Sequence, residues 1–200
     1  MKNLLLFLVF ACTFSFSCLG SPVPFSPIVR NYSVLDYNAG NENWAVAQDE
    51  RGVMYFGNNS GLLRYDGSRW KLFPLPTSGI VRAVYVASDR RIYVGSFEEF
   101  GYFEQNDLNL LEYHSLKEQV KGFDFHNDEI WTIVEQGGNI IFQSFGSYFI
   151  YDGKGTKGVR CPELPLNLFR IGDTLYSQLI NGGVCTCLLY TSPSPRDRTR

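Results

Sequence analysis

The sequence predicts an all-β chain, a partial β-propeller of about three and a half four-stranded blades that do not close. Three observations carry this. One block of sequence recurs at the period of a propeller blade. Its apolar residues fall in short runs rich in Val, Ile, Tyr and Phe, and clusters such as Asp49-Glu-Arg-Gly52, Asn58-Asn-Ser-Gly61 and Gln136-Gly-Gly-Asn139 break those runs where tight turns belong. Beyond the first twenty residues no window of a dozen holds a helical period, and Ser115 to Val120 is the short helical candidate.

The first copy reads Trp44-Ala-Val-Ala-Gln-Asp49, then Tyr55-Phe56-Gly57, then Gly61-Leu-Leu-Arg-Tyr65-Asp66-Gly67. The second runs from Val81-Arg82 through Tyr93-Val94-Gly95 to Phe100-Gly101, so Tyr55 recurs as Tyr93. In the third, Trp131-Thr-Ile-Val leads to Ile141-Phe142-Gln143 and Tyr151-Asp152-Gly153, and Ile141 to Tyr151 repeats the spacing of Tyr55 to Tyr65. A fourth starts at Leu168, passes Tyr176 and reaches Gly182-Gly183. The blades are therefore expected near residues 40–76, 80–116, 122–160 and 166–186. An irregular segment near Pro22 to Pro27 precedes them, and Tyr32 to Leu35 reads as a strand that completes a blade.

Both ends read differently from the repeats. Lys2 followed by an apolar run from Leu4 to Phe16 and then small residues is the pattern of a secretory signal peptide over residues 1–20. The run is short for a membrane span, although an uncleaved anchor is the alternative, and Cys18 admits a lipoprotein reading that Ser15 disfavours. Residues 21–186 are read as the N-terminal part of a propeller domain. At the other end, Cys187-Leu-Leu-Tyr-Thr-Ser-Pro-Ser-Pro-Arg-Asp197 matches a reading frame of a transposase adapter used in sequencing libraries. Residues 187–200 are accordingly expected to be an artefact and the chain a fragment, the alternative being a basic Pro/Ser-rich tail.

Charge and cysteine content exclude some function classes. Residues 21–186 hold 14 Lys and Arg against 19 Asp and Glu, a balance of −5, which offers no basic surface to nucleic acid. Within them only Cys161 and Cys185 remain, too few for a disulfide framework, and free buried thiols are expected. The two histidines, His114 and His126, have no Cys or carboxylate spacing of a zinc site, so no metal and no cofactor are expected. No nucleophile elbow, phosphate loop or Cys-x-x-Cys motif is present, and no catalytic residue is assigned.

The repeated residues read as structure. Gly57, Gly61, Gly67, Gly95, Gly101 and Gly153 suit turns or close backbone approach, and Tyr55, Tyr65, Tyr93 and Tyr151 suit a half-buried sheet. Asp49, Asp66 and Asp152 suit turns whose amides a carboxylate accepts. Glu98 and Glu99 are read as a solvated turn inside an insertion that lengthens the second blade between Gly95 and Gly101.

Three residues are the candidate ligand site. Trp44, Arg82 and Trp131 each stand at the head of a blade's first strand. The indoles either pack between blades or line the central funnel, where their faces would stack on a sugar ring. The guanidinium either reads a carboxylate or hydroxyl in the funnel or forms a salt bridge to a neighbouring loop.

Asn31-Tyr-Ser-Val-Leu-Asp-Tyr-Asn-Ala-Gly-Asn-Glu-Asn-Trp44, the block Met54 to Gly67, and Glu98-Glu-Phe-Gly-Tyr-Phe103 resemble the regulator propellers of Bacteroidetes sensor proteins. The resemblance covers residues 28 to 185. It implies a periplasmic sensor region, followed in such proteins by a triple-tyrosine sandwich domain, a membrane helix and a cytoplasmic helix-turn-helix or histidine kinase. On this resemblance the chain is non-enzymatic, binds a glycan or other small molecule, and belongs to a membrane-anchored dimer that regulates transcription. A secreted propeller enzyme acting on polysaccharide and a protein-interaction propeller are the alternatives.

Overall fold

In the computed structural model the described residues are 28–77, 79–108 and 110–186. The expected signal peptide, the segment Pro22 to Pro27 and the adapter-like tail lie outside them. The chain divides into Met1–Tyr32 and Ser33–Arg200, and the second unit carries the fold.

Fifteen strands make four antiparallel sheets among the described residues. The first holds β1 (Asn43–Gln48), β2 (Met54–Asn58), β3 (Gly61–Tyr65) and β4 (Trp70–Phe73). The second holds β5 (Ala83–Val86), β6 (Ile92–Gly95), β7 (Phe100–Gln105) and β8 (Leu111–Ser115). The third holds β9 (Thr132–Gln136), β10 (Asn139–Gln143), β11 (Ser147–Tyr151) and β12 (Thr156–Arg160). The fourth has β13 (Pro165–Ile171), β14 (Thr174–Leu179) and β15 (Val184–Thr186). Strands pair in sequence order inside each sheet, and the first strands β1, β5, β9 and β13 touch one another in turn. This is the radial arrangement of propeller blades, and it does not close into a ring.

The core lies between blades, which explains the pattern of each strand. Consecutive residues of β10 point to opposite sides: Ile140 and Phe142 join the cluster shared with Tyr93 and Phe100 of blade 2, while Ile141 packs with Leu168 and Leu175 of blade 4. In β6, Tyr93 faces blade 3, while Ile92 and Val94 face Tyr55 and Leu62 of blade 1. A middle strand buried on both sides must be apolar throughout, so the runs are continuous rather than alternating.

Several sequence expectations need correction. Tyr32 to Leu35 is not a strand: Val34–Tyr37 forms one helical turn, α1. The Asp36 carboxylate accepts the Ser33 amide and hydroxyl at its start, and Asn38 in the left-handed region ends it. The helical candidate at Ser115 to Val120 is a single 3-10 turn, Lys117–Gln119. Blade 2 has no insertion, because Gly57 pairs with Leu62 just as Gly95 pairs with Phe100. Gly101 therefore matches Leu63 rather than Gly61. The strands of blade 3 start at Thr132, since the stretch before them folds as a connection whose Phe123 and Phe125 pack on Phe149. Cys161 is half-buried, whereas Cys185 is exposed, because it lies on the uncovered edge strand β15.

Candidate functional site

The register of the blades places Trp44, Arg82 and Trp131 at one repeat position. Each precedes an inner-strand residue at one register position: Ala45 pairs with Gly57, Ala83 with Gly95, and Thr132 with Gln143, with Trp44 at the register shift that follows the Asn43–Asn58 pair. A radial fold gathers equivalent positions at one end of the inner strands. The three side chains meet there. The Arg82 guanidinium lies 3.7 Å from the Trp44 ring centroid and 5.2 Å from that of Trp131. The two indoles approach edge to face at 6.3 Å.

Arg82 is held by more than the rings. Its Nε donates to Glu129 Oε1 at 2.7 Å, a residue in the connection that enters blade 3. The loop salt bridge considered from sequence is thus present. Its Nη1 is buried and has no hydrogen-bond acceptor among the described residues, as is also true of Trp131 Nε1. Trp44 is 44% exposed, and its Nε1 donates to Asn59 Oδ1 at 2.7 Å. Asn59 in turn donates to the Glu42 carboxylate.

A second tier surrounds this one. Asn59, Phe97 and Phe145 each stand two residues beyond Gly57, Gly95 and Gln143, in the turns that join the second and third strands of their blades. Phe145 packs on Trp131 with ring centroids 5.6 Å apart, and Phe97 forms an isolated bridge to Glu129. Both phenylalanines are exposed. Sequence reading missed Phe97, Phe145, Asn59 and Glu129. Counting from the Gly57, Gly95 and Gln143 positions would have found the first three.

The repeat residues sit in the scaffold below. A Cβ on Gly57 would stand 2.6 Å from the Val81 carbonyl oxygen, and one on Gly95 would overlap Ile130, so glycine lets the connection into the next blade cross close by. In blade 3 the same position is Gln143, which fills the gap and donates to the carbonyls of Pro165 and Leu166. Gly101 gives room to the His114 carbonyl and the Tyr113 hydroxyl. Tyr55 and Tyr93 are buried with their hydroxyls on Asp49 and Asp89, while Tyr65 stacks on Trp70 and Tyr151 lies near Tyr93 and Tyr102. Asp66 accepts the Ser68 and Arg69 amides and Asp152 those of Lys154 and Gly155, which holds both carboxyls below their usual range. Gly67 and Gly153 occupy positive φ in these turns, and Gly61 does so where β2 turns into β3.

Glu99 departs from the solvated turn expected of it. It is 7% exposed, and Oε1 accepts from the Phe100 amide, Tyr113 and Ser115. Burial and the neighbouring Glu99 charge push the Tyr113 hydroxyl well above the usual phenol range. Glu98 keeps a partly exposed ion pair with Lys117.

Fold and mouth define the chain as a β-propeller with an aromatic cluster at one end of its inner strands. Solved structures share the fold. The extracellular domain of a B. thetaiotaomicron protein assigned as a hybrid two component system matches with a TM-score of 0.57 at 17% identity, over 74% of this chain and 20% of its own. A second such B. thetaiotaomicron domain matches with a TM-score of 0.57 at 15% identity, over 78% of this chain and 22% of its own. Virginiamycin B lyase from Staphylococcus aureus matches with a TM-score of 0.58 at 12% identity, over 83% of this chain and 60% of its own. The chain thus spans about a fifth of the two B. thetaiotaomicron domains. No protein-family model and no curated protein matches it.

Proposed function

We propose that the chain is the ligand-sensing propeller segment of an exported, membrane-anchored signal-transduction protein, and that it has no catalytic role itself. The observation that carries this is the mouth at Trp44, Arg82 and Trp131. An exposed indole stacks on Arg82 and meets Trp131 edge to face, and the buried donors Arg82 Nη1 and Trp131 Nε1 have no protein acceptor among the described residues. An aromatic face beside unpartnered donors suits a carbohydrate, whose CH face stacks and whose hydroxyl oxygens accept. The likeness of fold to two separate extracellular regulator domains supports the sensor reading. Among the described residues no helix is long and apolar enough to cross a membrane.

The test is tryptophan fluorescence of the chain titrated with neutral oligosaccharides prepared from plant and microbial polysaccharides. A saturable change that Trp44→Ala and Arg82→Met both abolish supports the mouth as a sensor site. Turnover of any of these sugars, or binding that neither variant alters, overturns the reading.

A further inference from the structure

At the other end of blades 1 and 2, away from the mouth, lies a second cleft of about 610 Å³. Its floor includes Tyr55, Val86, Ile92 and Leu111, and its rim is formed by the turns that join the first two strands of each blade. That volume falls within the range of small-molecule sites.

The rim charges are mostly committed to internal partners. Asp49 accepts the amides of Arg51 and Val53, the Arg51 guanidinium and the Tyr55 hydroxyl. Asp89 accepts the Arg91 amide and the Tyr93 hydroxyl. Glu104 takes Arg91 Nε at 2.9 Å and His114 Nε2 at 3.2 Å. Two side chains are left over, Glu50 and Arg90, one of each sign, and neither has a hydrogen bond or ion pair from its charged group among the described residues.

Arg90 also sits where the backbone disfavours it. Its amide donates to the Ala87 carbonyl and the Ala87 amide to that of Arg91, as Gly52 donates to Asp49 and Asp49 to Val53 in blade 1. Gly52 and Arg90 are therefore one turn position, at φ 83 and φ 68. The corresponding turns of blades 3 and 4 use Gly137, Gly138 and Gly172 at positive φ. Three blades place glycine in the left-handed region and blade 2 places arginine there, a strained choice that is kept at the edge of a cavity.

We propose that this cleft is a second ligand site, and that it takes a small zwitterion with an apolar side chain, such as an amino acid or dipeptide. Arg90 receives the carboxylate, Glu50 receives the ammonium group, and the apolar floor receives the side chain. The site is independent of the carbohydrate reading of the mouth.

Isothermal titration of the full chain with glycyl-leucine tests it, with N-acetylleucine and leucinamide as probes that each lack one charge. Binding of the dipeptide at least about tenfold tighter than either control is expected, which corresponds to about 1.4 kcal/mol. Arg90→Gly restores the residue of the other turns. It should raise the melting temperature in the absence of ligand while losing that binding, and Glu50→Gln should bind the dipeptide no better than N-acetylleucine. No saturable binding by the wild type, equal binding of all three probes, or undiminished binding by the better-folded Arg90→Gly variant would each overturn the proposal.

Discussion

Arg82 lies with its guanidinium 3.7 Å from the ring centroid of Trp44, so a cation of blade 2 is stacked on an indole of blade 1 while its Nε holds Glu129 at the entrance to blade 3. One side chain ties three blades. Removing it strands the Glu129 carboxylate and unstacks two rings.

Arg82→Met should therefore destabilise the chain by about 2–4 kcal/mol, the range for breaking a largely buried pair and losing a desolvated stack. Arg82→Lys should recover only part of this, because an ammonium lacks the planar fork that stacks and donates at once. Urea unfolding followed by tryptophan emission measures both. Equal stability of wild type and Arg82→Met would show that the stack carries no free energy.

Gly57→Ala should cost about 2 kcal/mol or more, since its Cβ would stand 2.6 Å from the Val81 carbonyl oxygen and backbone would have to shift. Gly155→Ala, whose Cβ would meet nothing within 4 Å, should change stability by less than about 0.5 kcal/mol. Thermal melts of the two variants decide whether the close approach between blades is as tight as the geometry says.

Acid should loosen the first blade's turn. Burial alone would raise the Asp49 carboxyl, but the Val53 amide and the Arg51 side chain and amide outweigh it and hold the group below the usual carboxylate value of 3.8. A depressed folded value means that the stabilisation is complete above the unfolded value and disappears as pH falls through the folded one. Asp49→Asn should therefore lower stability at pH 7 and make it less dependent on pH below about 4, as read from urea midpoints across pH 2–7. A parallel pH profile in wild type and variant would contradict this.

Alkylation should distinguish the two described cysteines. Cys185 is exposed and Cys161 half-buried, and the two are not joined by a disulfide. Peptide-resolved labelling with iodoacetamide at pH 8 should modify Cys185 first, and Cys161 at a rate that rises with urea. Protection of both until reduction would instead reveal a disulfide.

Much of the fold was legible because a repeat multiplies weak signals. Tyr55, Tyr93 and Ile141 were matched by spacing alone, and the ladders pair them accordingly with Arg64, Tyr102 and Ile150. The turn carboxylates Asp66 and Asp152 were also readable, since their bonds are to amides two and three residues away. What escaped depends on distant sequence. Glu99 looks like a turn residue until Tyr113 and Ser115 from the next strand close over it. Ser33 and Asp36 cap a helical turn inside a stretch whose composition suggested a strand. At the mouth, Trp44, Arg82 and Trp131 were readable as equivalent positions, but Glu129 and the exposed Phe97 and Phe145 were not, because their meeting is a property of three blades together.

One inner-strand register position holds Trp44, Arg82 and Trp131 in turn, and in blade 4 the register puts Leu166 there. In blades 1 to 3 the side chains of that position meet one another. Each of these three blades thus contributes one letter to a word written at that end of the inner strands. The blade interiors, where Tyr93, Phe100 and Phe142 interlock, are spelled by other residues.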